Sequence, residues 1–265
     1  MSSAIAIAPE SVRRPSVAAD SLTMIRRRFL HTWRNPETLF GGIIFPVIML
    51  AMFVYFFGGA MDVGTEYINY VMPGIVLLAA GYGVGVTAVT VSTDMADGII
   101  ARFRTMAISR SSVLVGHVVG SVAPALLGIG LVIGVTFLMG FRSDANVLEW
   151  LAAVGLIVAL VTSITLLAIA LAVSAPNPQT ANFYAFPLVL LPFVSTAFAP
   201  SDTMSGGVRW FVDNQPFSQV IETLRALLTG TELGNHGWWA AGWMAAFAIG
   251  GFLWARALLN REPTR

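Results

Sequence analysis

The sequence predicts an all-α, polytopic membrane protein with six transmembrane helices. Three observations predict it. Charged residues make up 11% of the chain and apolar residues 56%, against roughly a quarter charged in a globular domain. Apolar runs long enough to cross a bilayer recur along the chain, and its mean hydropathy is +0.76. The arginines fall in alternate inter-span segments, as the positive-inside bias requires. All fifteen basic residues are arginine, together with much Ala, Gly and Val, a codon bias that points to a GC-rich bacterial genome. There is no cysteine, which excludes disulfides, thiolate metal sites and a cysteine nucleophile.

Residues 1–19 are polar, contain Pro9 and Pro15, lack the apolar core of a signal peptide, and are expected to form a disordered cytoplasmic tail. The remainder, 20–265, reads as one membrane domain. Asp20 caps a helix over 20–35 that Pro36 ends. Leu22, Ile25, Phe29 and Trp33 form one stripe, and Arg26, Arg27, Arg28 and Arg34 lie off it. Such a helix suits an anionic inner membrane surface. A nucleic-acid contact is a poorer reading of the triple arginine, because it abuts a span. The spans are expected at about 38–57, 71–93, 113–139, 150–174, 183–200 and 238–259. A short acidic loop with Asp62 and Glu66 follows the first, and a brief loop with Arg142, Asp144 and Glu149 follows the third. Residues 175–182, APNPQTAN, form an uncharged turn, and the fifth stretch is short and broken by Pro187 and Pro192.

Between the second and third spans lies a charged island, 94–112, DMADGIIARFRTMAISRSS. As a helix it places Met95, Ile99, Phe103 and Met106 on one side and Asp94, Asp97, Ala101 and Arg104 on the other. Asp94 is expected as its N-cap and Asp97 in its first turn, with Arg104 and Arg110 late, where each charge suits the helix dipole. The charge pattern admits two readings: a contact for a soluble partner, or a solvated loop whose arginines only fix topology. The second is the commoner use of such a pattern.

The N-terminal region, the island and the C-terminus hold Arg13, Arg14, Arg26, Arg27, Arg28, Arg34, Arg102, Arg104, Arg110, Arg256, Arg261 and Arg265; the other side holds only Arg142, Arg209 and Arg225. Six spans with both termini in the cytoplasm satisfy this split, in a bacterial cell membrane. The long loop 201–237 then lies outside. Val208, Phe211 and Val212 imply a turn or two of helix. Asn214-Gln215-Pro216 starts a second helix, with Pro216 at its first position. Phe217, Val220, Ile221, Leu224, Leu227 and Leu228 give it a wide apolar face up to Gly230, with Glu222 and Arg225 off that face. At about 1.5 Å per residue it is too short to cross, and is expected to dip into the outer leaflet or pack on the span ends.

Soluble-enzyme chemistry is not encoded. Without lysine no Walker-type phosphate loop exists, so the chain does not hydrolyse ATP alone. His31, His117 and His236 lack metal-ligand spacing. His117, near one end of the third span, is the one clear ionisable residue inside a span, and packs more often than it relays protons. Gly81-Tyr82-Gly83-Val84-Gly85 superficially resembles a potassium filter, but lies inside a full-length span and reads as close helix packing. Gly116 with Gly120, and Gly242, Ala246 and Gly250, are small residues at four-residue spacing that read as helix contacts, within or between chains. Phe45, Met49, Met52 and Phe53 with Phe186, Phe193 and Phe198 either line an apolar pathway or face lipid. No internal repeat is evident.

Three stretches together resemble the permease subunit of ABC type-2 exporters, particularly the daunorubicin-resistance type. RRRFLHTWRNPETLFGGIIFPVIMLAMFVYFFG, residues 26–58, resembles the family's opening interfacial helix and first span, with Arg34, Pro36, Pro46 and Gly58 in expected places. DMADGIIARFRTMAISRSSVLVGH is similar to its acidic-Gly-x-x-x-x-x-basic pattern and Ser-Arg turn, with Asp97 where Glu is commoner and Ala107 where Pro is frequent. FAPSDTMSGGVRWFVDNQPFSQVIETLRALLTG is similar to the outer signature, in which Asn-x-Pro-Phe/Leu-Ser/Thr precedes a helix containing Glu-x-x-Arg.

The resemblance implies a homodimer or heterodimer of six-span permeases clamped by two separate ABC ATPase subunits, which carry the ATP and Mg; this chain itself needs no cofactor or metal. It favours the island as a coupling helix, with Asp94, Asp97, Arg102, Phe103, Arg104 and Arg110 facing the ATPase and Trp33 and the four arginines of the 20–35 helix beside it. Pro216, Phe217, Glu222 and Arg225 would belong to an extracellular gate. The implied function is export of a lipophilic compound (a drug, polyketide or lipid), with no catalytic residue in this chain. The rival reading is an ion- or proton-coupled transporter acting without an ATPase through His117. A membrane-embedded enzyme has no nucleophile–base pair or metal cluster to support it.

Overall fold

A computed structural model describes residues 40–61, 63–97 and 110–260, and every regular element among them is helical. Helix α1 is Phe45–Met52, continuous with wide π turns at Phe40–Ile44 and Phe53–Phe57. It is followed by α2 (Tyr67–Ala96), α3 (Arg110–Leu138), α4 (Val147–Ser174), α5 (Pro178–Leu190), α6 (Gly206–Asn214), α7 (Pro216–Thr229) and α8 (His236–Asn260). The 20–35 helix with Arg26, Arg27, Arg28, Trp33 and Arg34, and the island residues Arg102, Phe103 and Arg104, lie outside the described residues.

Four helices are long and apolar enough to cross a membrane: Tyr67–Ala96, Val118–Leu138, Val147–Ser174 and His236–Leu258. The first and fifth apolar stretches are shorter. The helix Gly41–Phe57 begins where the described residues begin. The fifth is α5, tightened into a 3₁₀ turn at Leu191–Val194 by Pro192 and then irregular through Pro200. Pro187 does not break α5, whereas Pro192 ends its regular α-helical part. Together α5 and the 3₁₀ turn reach about 27 Å, close to the ~30 Å of a hydrocarbon core.

Helix α2 is the centre. From Tyr67 to Gly81 it is buried on all sides except at Asn69, the pattern of a helix with no solvent or lipid face. It packs against α1, α3, α4, α5 and α7. The glycine run is a packing feature: a Cβ at Gly81 would stand 3.4 Å from the Val189 backbone, and one at Gly83 would stand 3.4 Å from Ala125 Cβ. The helix passes through that run uninterrupted. The outer elements are apolar on their exposed sides. Val147, Leu148, Leu151 and Val154 of α4, and Ile249, Leu253 and Trp254 of α8, are exposed, as helices facing lipid or another subunit must be.

Several boundaries differ from the sequence reading. Asp94 does not open a new helix: it lies in the last turn of α2, and Asp97 closes that helix, its N–H donating to Thr93 O at 2.9 Å. Continuing the backbone hydrogen-bond ladder wins over a side-chain cap. Arg110 is the first described residue of α3, and residues 98–109 before it lie outside the described residues. Glu149 is not in a loop. It completes a capping box at the start of α4, where Asn146 Oδ1 accepts from Glu149 N at 3.0 Å and Glu149 Oε2 from Asn146 N at 2.7 Å. The uncharged turn is shorter than 175–182, because Asn177 caps α5 through Thr180 N at 2.8 Å, with Pro178 at N1.

Within this chain the close approach of α8 to α4 is made by another glycine. Gly242 and Gly250 meet nothing within 4 Å in this chain, but a Cβ at Gly251 would stand 2.7 Å from Leu166 C and Leu167 N of α4. Backbone cannot yield as a side-chain tip does. Gly251→Val is therefore expected to destabilise the α4–α8 pair by about 1–3 kcal/mol, while Gly242→Ala leaves it unchanged. Thermal denaturation of the two purified variants in one detergent measures the difference.

Candidate functional site

The candidate site sits at one end of the bundle, where the start of α2, the 3₁₀ turn and irregular segment after α5, and α7 meet. The segment 195–198 is buried, yet it has left the helical ladder, so its backbone groups need other partners. Side chains supply them. Gln215 Nε2 donates to Val194 O at 3.1 Å. Thr196 O accepts from Tyr70 Oη at 3.0 Å and from Arg225 Nη2 at 2.8 Å. Phe198 O accepts from Tyr67 Oη at 2.8 Å. Thr196 N donates to Ser218 Oγ at 3.3 Å, and Ala197 N to Ser195 Oγ at 3.1 Å. Alternate carbonyls of this strand-like segment are thus bonded to α2 on one side and α7 on the other.

Arg225 is the node. Its Nε and Nη2 donate to Tyr70 O at 3.2 and 3.1 Å, its Nη1 pairs with Glu222 Oε1 at 2.5 Å, and its guanidinium lies 3.8 Å over the Tyr70 ring. The Arg225 side chain is 12% exposed. The planar five-donor fork suits this divided task, and an ammonium does not. It lies off the apolar face of α7 as the sequence implies, but faces protein rather than water.

The sequence motif explains how α7 is placed. Gln215 caps it, its Oε1 accepting from Phe217 N at 3.1 Å, and Pro216 occupies the first position. Phe217, Val220, Ile221, Leu224, Leu227 and Leu228 are buried. Gly230 ends the helix at φ +66°, the left-handed C-cap that glycine tolerates. Of the two placements expected for this helix, it takes packing on the span ends. A second lock joins the α3–α4 loop: Arg142 N donates to Asn69 Oδ1 at 3.1 Å and Ser143 Oγ to Leu228 O at 2.7 Å. A third joins α8: Gln219 Nε2 donates to Asp213 O, which orients its Oε1 to His236 Nδ1 at 2.8 Å.

Of the sequence-predicted gate residues, Pro216, Phe217, Glu222 and Arg225 all fall on α7, and Glu222 and Arg225 form its ion pair. Of the pathway candidates, Phe53 stacks on Phe198 at 4.1 Å and Phe193 on Phe198 at 5.4 Å. Phe45 and Met49 pack partly buried on the core, and Phe186 is exposed. Asp94 and Asp97 stand at the opposite end of α2. Sequence reasoning missed Tyr67, Tyr70, Gln215, Ser218 and Thr196. Their only signal was two tyrosines three apart at the start of a span and the polar positions around Pro216.

Beside this hydrogen-bonded segment lies a polar cavity of about 810 Å³, with Asn69, Tyr70, Arg142, Asp202, Glu222 and His236 in its wall. Among the described residues no group of three or more His, Cys, Asp or Glu is placed to hold a metal ion.

Removing the guanidinium leaves Tyr70 O and Thr196 O short of a donor and Glu222 unpaired. Arg225→Ala is expected to cost about 3 kcal/mol, and Arg225→Lys to recover less than half of that. Denaturation of detergent-solubilised variants, with Glu222→Gln as the second arm of a double-mutant cycle, gives both numbers.

Comparison with known proteins follows the same elements. The family model for ABC-2 type transporters matches residues 20–229, a range that runs from the predicted interfacial helix to the last turn of α7. The chain is 28% identical over 248 residues to the daunorubicin resistance ABC transporter permease protein DrrB1 of Streptomyces coeruleorubidus, covering 92% of this chain and 85% of that protein. It is 28% identical over 221 residues to the putative transport permease ycf38 of Porphyra purpurea, covering 79% and 74%. The ycf38 permease of Pyropia yezoensis matches at 28% over 224 residues, covering 80% and 75%. The chain belongs to the ABC-2 type transporter family.

Proposed function

We propose that this chain is the permease subunit of an ATP-driven exporter of a lipophilic compound, working as one of a pair with a second copy or a paralogue. Two separate ABC ATPase subunits dock on the 94–112 segment and hold the ATP and Mg. Six spans cross a bacterial cell membrane with both termini cytoplasmic, the helices at Gly41–Phe57 and α5 completing the four longer ones. The family match over 20–229 carries the reading. The name of the Streptomyces relative, a resistance permease, supports a drug-like substrate. Asp94 and Asp97 stand at the opposite end of α2 from Tyr70, whose carbonyl Arg225 bonds.

The proposed mechanism uses that arrangement. ATP-driven closure of the ATPases presses on the island through Asp94, Asp97, Arg102, Phe103, Arg104 and Arg110. Helix α2 is buried along the half that reaches the seal, so a displacement of its island end is carried to Tyr67 and Tyr70 rather than absorbed in loose packing. Opening requires the bonds from Tyr67, Tyr70 and Arg225 to the 194–198 segment to break or re-form. The aromatic cluster of Phe53, Phe193 and Phe198 stands beside that segment and offers stacking surface to an apolar substrate passing between two subunits. The rival ion-coupled reading rests on His117, whose side chain lies outside the described residues.

Charge reversal Arg104→Glu is expected to lower export by about tenfold or more while membrane insertion is unchanged, because a contact between opposite charges becomes repulsive. Transport and ATP hydrolysis measured together in vesicles containing the co-purified ATPase test this, and transport unchanged in the variant overturns the coupling role. Orientation has its own test. A single thiol from Ala101→Cys in this cysteine-free chain is expected to resist an impermeant maleimide in intact cells and to react in inverted vesicles.

A further inference from the structure

Helix α2 has a proline and a glycine side by side in its most buried part. Pro73 lies inside the helix, and residues 67–81 are buried except at Asn69. A proline has no N–H for the carbonyl four residues back, and its ring pushes against that carbonyl. The carbonyl here belongs to Asn69, in the wall of the polar cavity. The next one, Tyr70 O, takes two donors from outside the helix, Arg225 Nε at 3.2 Å and Nη2 at 3.1 Å. Gly74 follows at once. A Cβ there would stand 2.5 Å from Ala197 Cβ and 3.0 Å from Ala197 Cα, so the 194–198 segment rests directly on the α2 backbone at this point. The side-chain hydrogen bonds divide at the same place. Before Pro73, Tyr67 Oη donates to Phe198 O, Tyr70 Oη donates to Thr196 O, and Asn69 Oδ1 accepts from Arg142 N. After it, residues 74–81, GIVLLAAG, carry no side chain able to hydrogen-bond and are buried throughout.

We propose that Pro73 and Gly74 form a joint that divides α2 into a short cap, 67–72, and a long shaft, 74–96, and that the cap tilts as one unit about the contact between Gly74 and Ala197. Two physical reasons place the joint there. A missing backbone bond lowers the cost of bending at that turn, and a glycine beside it puts no side chain in the way. The two sides are also held differently. The cap is tied to 194–198 by directed bonds, which have discrete made and broken states, whereas residues 74–81 are gripped by close apolar packing. A displacement arriving along the shaft ends at the joint. There it becomes a tilt that draws Tyr67 and Tyr70 off the Phe198 and Thr196 carbonyls. Arg225 sets the resting position, because it bonds the cap at Tyr70 O and the segment at Thr196 O. The joint is a property of the chain by itself, and its use in opening an exit path rests on the exporter reading.

The test is hydrogen exchange, read amide by amide, on the full-length permease in lipid nanodiscs without the ATPases. In the parent protein, amides 69–72 are expected to exchange at one common rate, faster than amides 75–81. Arg225→Lys is expected to speed 69–72 and the Thr196 and Ala197 amides about tenfold, and to leave 75–81 unchanged. Pro73→Ala returns an N–H to Asn69 O and is expected to slow 69–72 by about tenfold. A rate that rises gradually toward Tyr67 marks the fraying of a helix end and overturns the joint. So do equal rates in 69–72 and 75–81, or equal acceleration of both stretches in Arg225→Lys. That variant keeps the native proline, so it decides the question even where Pro73→Ala does not fold. Transport is a separate arm. With the co-purified ATPase in vesicles, Pro73→Ala is expected to lower export several-fold while ATP hydrolysis persists. Unchanged export in a variant whose cap has been slowed removes the joint from the opening step, and failure of the exporter reading leaves the exchange result standing.

Discussion

A bent chain inside a helical bundle must find hydrogen-bond partners for the backbone it exposes, and that constraint organises this protein. After Pro192 the fifth apolar stretch leaves the helix while still packed among its neighbours. In a bilayer no water compensates such groups. Here two tyrosines of α2 and the Gln215, Ser218 and Arg225 side chains of α7 take up the Val194, Thr196 and Phe198 carbonyls and the Thr196 amide. Helix α7 is therefore more than a surface helix between two spans. It supplies the polar groups that allow the fifth stretch to be broken.

The same bonds give the broken stretch two keepers instead of one. Its carbonyls are bonded to α2 and to α7, so relative movement of those helices must change how the segment is held. Arg225 joins both sides, bonding Tyr70 O and Thr196 O while paired with Glu222. A helix-to-helix contact made only of apolar side chains slides at little cost, whereas a directed network has discrete alternatives.

The two ends of α2 differ in chemistry. One begins with tyrosines inside a hydrogen-bond network, and the other finishes in Thr93, Asp94 and Asp97 next to an arginine-bearing segment. The half of the helix that begins at the tyrosines is buried on nearly all sides, and the half that ends at Asp97 is only partly buried. In a family of transporters whose relatives are named as permeases, such an element joins two chemically different ends of one bundle.

Much of this was legible from composition and periodicity. Length and hydropathy determined the apolar helices, because burying a backbone in lipid demands internal hydrogen bonds. Pro216, Gly230 and the apolar spacing between them determined α7, because capping and amphipathic periodicity are local. The family followed from the order of three local motifs. Tertiary structure alone decided what those motifs do. Asp94 and Asp97 end α2 rather than opening a helix, since backbone continuity outweighs a favourable cap. The close approach of α8 to α4 falls at Gly251 and not at the Gly242–Gly250 pattern, since helix rotation is set by neighbours. Arg225 serves carbonyls 155 and 29 residues away, and no spacing rule within a sequence reports which distant carbonyls a broken helix will leave without partners.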